Sequence, residues 1–294
     1  MKFIPTAVKE IIERSIRALV LLACPLLSPA SVQAEVSLMV YDFELGPNPA
    51  SNVDYVQSLG FRGLVTRCSI PTDVAKLANY ANRAATIRPF QILAYVDYDF
   101  NNPDSPQVWR DALPILARAN APLWVIVKNA PSTTAIHALL LQMATRSQLL
   151  GVRTVIYPHW RTDIENAAEA AAHIAQIGHA NLSNSLHTCH EIRSGNQYNM
   201  AAVVAAHAST SELVTIAGAD DNAYSGPPPP GFLPWDDAIK PLDQGRYSLL
   251  PFLQALHSAG YDGPVILHTF GIVNDPGHLD RSIRGYADYR AKLQ

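Results

Sequence analysis

Histidine is where this sequence concentrates its chemistry. The segments Tyr157-Pro158-His159-Trp160, Leu186-His187-Thr188-Cys189-His190 and Val265-Ile266-Leu267-His268 each set imidazole at the end of a short apolar run. Imidazole titrates near neutral pH and ligates transition metals, so these side chains suit acid, base or ligand roles. His187 and His190 stand three residues apart, without the i, i+4 spacing that marks a zinc helix. Other polar groups end similar runs: Asp42 and Glu44, Arg67, Asp97 and Asp99, Lys128, and Asp220 with Asp221. A sugar-sized ligand uses such groups as hydrogen-bonding partners.

These residues share a position in a repeating pattern. Apolar runs bounded by turn residues predict buried strands at Ser37–Asp42, Gly63–Arg67, Phe90–Val96, Leu123–Val127, Arg153–Tyr157, Leu182–His187, Leu213–Gly218 and Pro264–Thr269. Helical periodicity lies between them, at Asn52–Leu59, Thr72–Ala85, Val108–Ala119, Thr133–Leu150, Asp163–Ile177, Tyr198–Ala208 and Leu249–Ala259, and closes the chain at Leu279–Leu293. Eight alternations predict an α/β chain closed into a single (β/α)8 TIM barrel, whose chemistry sits at the C-terminal strand ends. That rule gathers His159, His187, His190 and His268 at one face. Of these, His159 and His268 are the expected acid/base groups and His187 and His190 the expected metal ligands or substrate orienters. Lys128 is the expected catalytic cation, and Asp42, Arg67, Asp97, Trp160, Asp220 and Trp235 the expected substrate-binding residues. The remaining histidines, His137, His173, His179, His207, His257 and His278, fall on helices or loops and read as packing or surface residues.

The N-terminus reads differently. Lys2, Lys9, Arg14 and Arg17 precede an apolar stretch from Ala18 to Leu27, and Val32-Gln33-Ala34 fits a small-x-small cleavage rule. Residues 1–34 are expected to be a secretory signal peptide, too short in its apolar run to span a bilayer, and residues 35–294 the barrel. A periplasmic or secreted protein follows; a lipoprotein acylated at Cys24 in Leu21-Leu22-Ala23-Cys24 is the lesser alternative. The whole chain carries a net charge of −3, and the leader holds four basic and two acidic residues, so the remainder stands at −5. A mildly acidic chain without a basic run offers nothing to nucleic acid or an anionic membrane. Beyond the leader only Cys68 and Cys189 remain, open to one bridge or to two separate thiols.

One connection is long. Between Ala219 and Tyr247 lie Gly226, Pro227–Pro230, Gly231 and Trp235. A loop of this length is usually functional or unstructured, so Trp235 reads either as a cap over a ligand or as the anchor of a spacer.

The segments Gly151–His159, Asn181–His190, Val214–Asp220 and Lys240–Ile272 resemble the xylose-isomerase-like sugar phosphate isomerase/epimerase superfamily, across residues 36–294. Tyr157-Pro158-His159 is similar to the matching strand of inosose dehydratases. The resemblance implies a divalent cation, often manganese, held by two glutamates, an aspartate and a histidine that also move a proton beside a carbonyl. This sequence departs from that set: the positions read Tyr157, His187, Thr215 and His268. Imidazole suits zinc or iron better than manganese. The expected function is therefore a carbohydrate or polyol isomerase, epimerase or lyase with a histidine-rich site, either metal-free or holding a divalent metal among zinc, iron and manganese. The alternative is a non-catalytic carbohydrate-binding barrel, with Trp160 and Trp235 stacking on sugar rings. Export points to an unphosphorylated small-molecule substrate.

Overall fold

A computed structural model describes residues 38–43, 45–220, 235–273, 275 and 277–293. The expected leader with Cys24, and Glu44, Asp221 and Pro227–Pro230, lie outside the described residues.

Eight parallel strands close in chain order: β1 (Leu38–Tyr41), β2 (Gly63–Cys68), β3 (Gln91–Asp99), β4 (Leu123–Lys128), β5 (Thr154–Ile156), β6 (Leu182–His187), β7 (Ser211–Ile216) and β8 (Val265–Leu267). Closure sets Leu38 opposite Val265 and Val40 opposite Leu267. The covering helices are α1 (Pro49–Ser58), α2 (Pro71–Ala84), α3 (Ser105–Ala119), α4 (Thr133–Gln148), α5 (Ala167–Ile177), α6 (Thr188–Arg193), α7 (Met200–His207), α8 (Leu250–Ser258) and α9 (His278–Ala291). All eight predicted strands are present, in a (β/α)8 barrel.

Two helices depart from expectation. The helix predicted from Asp163 begins at Ala167, because the Asn166 side chain caps it by accepting from the Glu169 amide at 3.0 Å. Helix α6 was not predicted. All six of its residues are buried, so it lacks the one-sided apolar pattern of a surface helix. It follows β6 directly and carries Cys189 and His190 into the barrel mouth.

The barrel interior is aromatic. Trp124 stacks on Tyr157 at 4.4 Å between ring centres, and Tyr95 meets Tyr157 edge-on at 5.3 Å. The Tyr41 hydroxyl donates to that of Tyr157 at 3.0 Å, and the Trp124 indole to Ser185 Oγ at 2.9 Å. The polar atoms of Tyr41, Tyr157 and Trp124 thus have partners, as burial demands. Gly63 makes room for it: a Cβ there would lie 2.3 Å from Met39 Cε and 2.6 Å from the Gln91 carbonyl.

The Lys240–Tyr247 motif proves structural. Gly218 and Lys240 exchange backbone hydrogen bonds of 2.9 and 2.8 Å, and the Tyr247 amide donates to Ala219 O at 2.9 Å. A Cβ on Gly218 would meet the Pro241 carbonyl at 2.2 Å, so only glycine permits this approach. The base of the long connection is thereby pinned to the end of β7.

Candidate active site

Side chains alternate across a strand, so every second residue at a strand end points into the mouth. Tyr41 sits among the interior aromatics, and its neighbour Asp42 therefore faces outward, to α2. There it accepts from Thr66 Oγ1 at 2.7 Å and Tyr80 OH at 3.3 Å and pairs with Lys76 at 3.0 Å. Asp42 is tied to the helix layer and does not join the expected binding residues.

Asp97 faces inward and is buried. Lys128 Nζ lies 2.7 and 2.9 Å from its two oxygens, and Arg67 pairs with it as well. Three of the expected polar residues thus form one paired cluster, two cations on one buried carboxylate. Asp220 is apart from it, 3.3 Å from Lys240 at the base of the long connection.

The four histidines do converge. His190 is their hub, with ring centres 4.1 Å from His159, 5.4 Å from His187 and 6.2 Å from His268. Their surroundings divide their roles. His187 stacks on Tyr157 at 4.0 Å, and its Nε2 and Nδ1 each lie 2.8 Å from a hydroxyl, of Ser185 and Thr215. Both nitrogens are spent on structure, which leaves none for the ligand role expected of His187. His159 Nδ1 lies 2.9 Å from the Trp160 carbonyl, which can only accept; the neutral ring therefore carries its proton on Nδ1 and a lone pair on Nε2. His268 packs against Tyr41 at 4.7 Å, and its Nδ1 accepts from the Phe270 amide over a long 3.4 Å.

His190 is the exception. It is 1% exposed, and neither ring nitrogen has a hydrogen-bond partner among the described residues. Leaving a buried polar group unpaired costs about 1–3 kcal/mol. A fold tolerates this where the group serves something other than stability.

Burial keeps all four rings neutral. It pulls His159 down to about 4, with the Lys128 charge adding to the effect, and His268 down to about 3, with His159 adding. His187 and His190 are held well below the usual imidazole range, by burial first and by the other histidines second. Burial likewise raises the Tyr157 phenol well above its ordinary range and the Cys189 thiol to about 12.

The tryptophans are less open than a stacking role requires. Trp160 is 7% exposed, with the guanidinium groups of Arg161 and Arg193 at 5.1 and 5.4 Å from its ring centre. Trp235 takes Arg193 at 5.5 Å and turns its ring across His190 at 5.1 Å and His159 at 5.8 Å. It closes one side of the histidine cluster. Arg193, fully buried and paired with Asp237, was not singled out in the sequence, nor was Cys189 as part of a site. Cys68 and Cys189 are two separate buried thiols.

The carboxylate-held cation implied by the resemblance does not fit. Its positions hold the Tyr157 phenol, bonded to Tyr41, the two-fold bonded His187, Thr215 and His268. Asp97 is engaged by Arg67 and Lys128. Among the described residues, one set of three His, Cys, Asp or Glu donors lies mutually within 4.8 Å: Cys189, His190 and His268, all buried.

Residues 53–288 match the family described as xylose isomerase-like TIM barrel, and the chain belongs to it. Among solved structures it is similar to D-psicose 3-epimerase with D-tagatose from Clostridium cellulolyticum H10, at 14% identity and a TM-score of 0.66, covering 88% of this chain and 99% of that one. It is also similar to 3-keto-D-glucoside 4-epimerase from E. coli, at 16% identity and a TM-score of 0.64, covering 87% and 100%. A xylose isomerase-like TIM barrel/4-hydroxyphenylpyruvate dioxygenase fusion protein gives a TM-score of 0.68 at 12% identity; the match covers 88% of this chain but 43% of the fusion. At such identities the likeness concerns the fold. No curated protein matches the sequence. No helix among the described residues is long and apolar enough to cross a membrane.

Proposed function

We propose that this barrel is a carbohydrate isomerase- or epimerase-like enzyme that moves a proton on the carbon beside a carbonyl. Family membership and the epimerases among its structural neighbours support the class. The observation that carries the reading is the gathering of neutral imidazoles from three strand ends around His190, next to Lys128.

In this reading the C–H bond beside the carbonyl breaks and its proton passes to His159 Nε2, whose lone pair is free. The electron pair shifts to the carbonyl oxygen, giving an enediolate. Lys128, whose charge acts on His159, stabilises the developing charge. Return of the proton to the neighbouring carbon gives isomerisation, and its return to the opposite face gives epimerisation. His159 is a weak base at rest. An enediolate beside it favours the imidazolium, so its basicity rises when the proton must move. The leader expected in the sequence supports an exported protein and an unphosphorylated sugar.

Incubation with fructose, tagatose, psicose and ribulose in D2O, followed by NMR, tests this. Deuterium should enter at the carbon next to the carbonyl of at least one sugar. His159→Ala should slow it by 10²–10⁴-fold, the usual contribution of a positioned acid/base group. Sugar binding without exchange would replace this reading with a carbohydrate-binding barrel, which the loss of the carboxylate ligand positions favours.

A further inference from the structure

The implied cation site has lost its carboxylates, yet a different donor set stands one turn further along. We propose that Cys189, His190 and His268 form a site for a borderline-soft divalent cation of the zinc class, which shares only the His268 position with the carboxylate site that the fold family implies and differs from it in metal preference. The inference does not rest on the isomerase reading, since a barrel that only binds sugars would hold the same ion.

Two independent observations carry it. The three donor atoms lie mutually within 4.8 Å. His190 holds both nitrogens unpartnered, although it is 1% exposed. A structural histidine would be bonded as His187 is, to Ser185 and Thr215.

The chemistry of the set selects the ion. One thiolate and two imidazoles suit zinc or cobalt and reject magnesium, calcium and manganese. Zinc lies at about 2.3 Å from sulfur and about 2.0–2.1 Å from nitrogen, so tetrahedral donors stand roughly 3.4–3.8 Å apart. The donors must draw in by about an ångström from the 4.8 Å limit. Small side-chain rotations supply that, and the 3.4 Å contact to the Phe270 amide is too long to hold His268 back. On loading, the S–H bond of Cys189 breaks, its proton leaves to solvent and a sulfur–metal bond forms. Three protein ligands leave a fourth position open, the arrangement of catalytic rather than structural zinc sites.

The position in the fold explains why these residues cooperate. His187 ends β6 and is fixed by its hydroxyl partners, so the short α6 that begins beside it carries Cys189 and His190 as a rigid pair. His268 comes from β8. The interior aromatic plug lies beneath all three and shuts out water, which strengthens a metal–thiolate bond.

Full-length protein stripped with a chelator and titrated with cobalt(II) tests the site. One equivalent should bind with a thiolate-to-cobalt charge-transfer band in the near ultraviolet. The chain has three cysteines, so a Cys24→Ser/Cys68→Ser protein keeps Cys189 as its sole thiol and should keep the band. Cys189→Ser should abolish the band and weaken binding at least ten-fold. His190→Ala should do the same to affinity, whereas His137→Ala, in the surface pair with His173, should leave both unchanged. Cobalt binding without the band in wild type, or a band that survives Cys189→Ser, would overturn the proposal. So would the absence of stoichiometric binding. The wild-type spectrum and the Cys189-only protein decide the matter even if Cys189→Ser fails to fold. Absence of sugar exchange in a cobalt-loaded protein would end the isomerase reading and leave the metal site standing.

Discussion

The mouth of the barrel has two halves that treat polar groups in opposite ways. At the ends of β2 to β4, Arg67, Asp97 and Lys128 are charged, and the two partly exposed cations both pair with the buried Asp97 carboxylate. At the ends of β5, β6 and β8, His159, His190 and His268 are neutral, and His190 bonds to nothing among the described residues. The first half is internally paired without a ligand, with one positive charge in excess. The second is not, and incompleteness of that kind marks where binding energy can be used. His187 shows that the distinction is one of environment and not of residue type: it shares the neutral half, yet its two hydroxyl partners give it the finished character of the charged half.

Acid should break the neutral half first, and with the largest effect, since it acts on several imidazoles together. An unfolded histidine titrates near 6.5, whereas His159 in the fold does so near 4 and burial holds His187 well below the ordinary range. Between those values the unfolded chain binds protons that the fold refuses. Stability is therefore fully present above about 6.5 and is lost as pH falls toward 4. Urea midpoints at pH 7, 6 and 5 should decline in that order. A midpoint constant from 7 to 5 would mean that the rings are solvated.

The charged half should break only when its pairing is undone. Arg67→Met together with Lys128→Met strands the Asp97 charge, 5% exposed, and should cost about 3–5 kcal/mol in denaturant unfolding. Adding Asp97→Asn should recover most of that loss. If the triple variant is no more stable than the double, the cluster is not held by charge balance.

Within the neutral half, His187 and His190 offer the sharper contrast. His187→Leu leaves the Thr215 hydroxyl, fully buried, without its partner and should cost about 1–3 kcal/mol. His190→Leu removes two unpaired nitrogens and should change stability by less than about 1 kcal/mol, in either direction, while cobalt binding disappears. Equal losses for the two variants would erase the division between a structural and a functional histidine.

The fold was legible because most strands are apolar runs with turn residues at both ends, as parallel strands under helices are written; β6, with Ser183, Asn184 and Ser185 at its centre, is the exception. The convergence of the histidines followed from the barrel rule. What a strand end cannot disclose is which of its groups are already taken. Arg67, Asp97 and Lys128 lie 30 or more residues apart in sequence and pair only because their strands are neighbours. His187 and His190 look alike along the chain and differ through Ser185 and Thr215, one of them on another strand. The sequence leaves Cys189 open to a bridge or to a separate thiol, although its place beside His190 at a strand end is a signal for a shared site. Helix α6 escaped notice because burial on all sides removes the periodicity by which helices are recognised.

Asp42 could have been placed correctly from periodicity alone, and it supplies the smallest effect. Tyr41 belongs to the interior plug, so the next residue must face the helices, where Thr66, Tyr80 and Lys76 hold it. Asp42→Asn keeps an oxygen for the Thr66 hydroxyl and removes only the charge facing Lys76, itself 35% exposed. The loss should be about 0.5–1 kcal/mol, as for a pair open to solvent on one side. Deuterium exchange and cobalt affinity should stay within two-fold of wild type, because no group in the mouth touches Asp42. A ten-fold fall in exchange with stability intact would bring this carboxylate to the substrate, and the charged half of the mouth could no longer be regarded as closed.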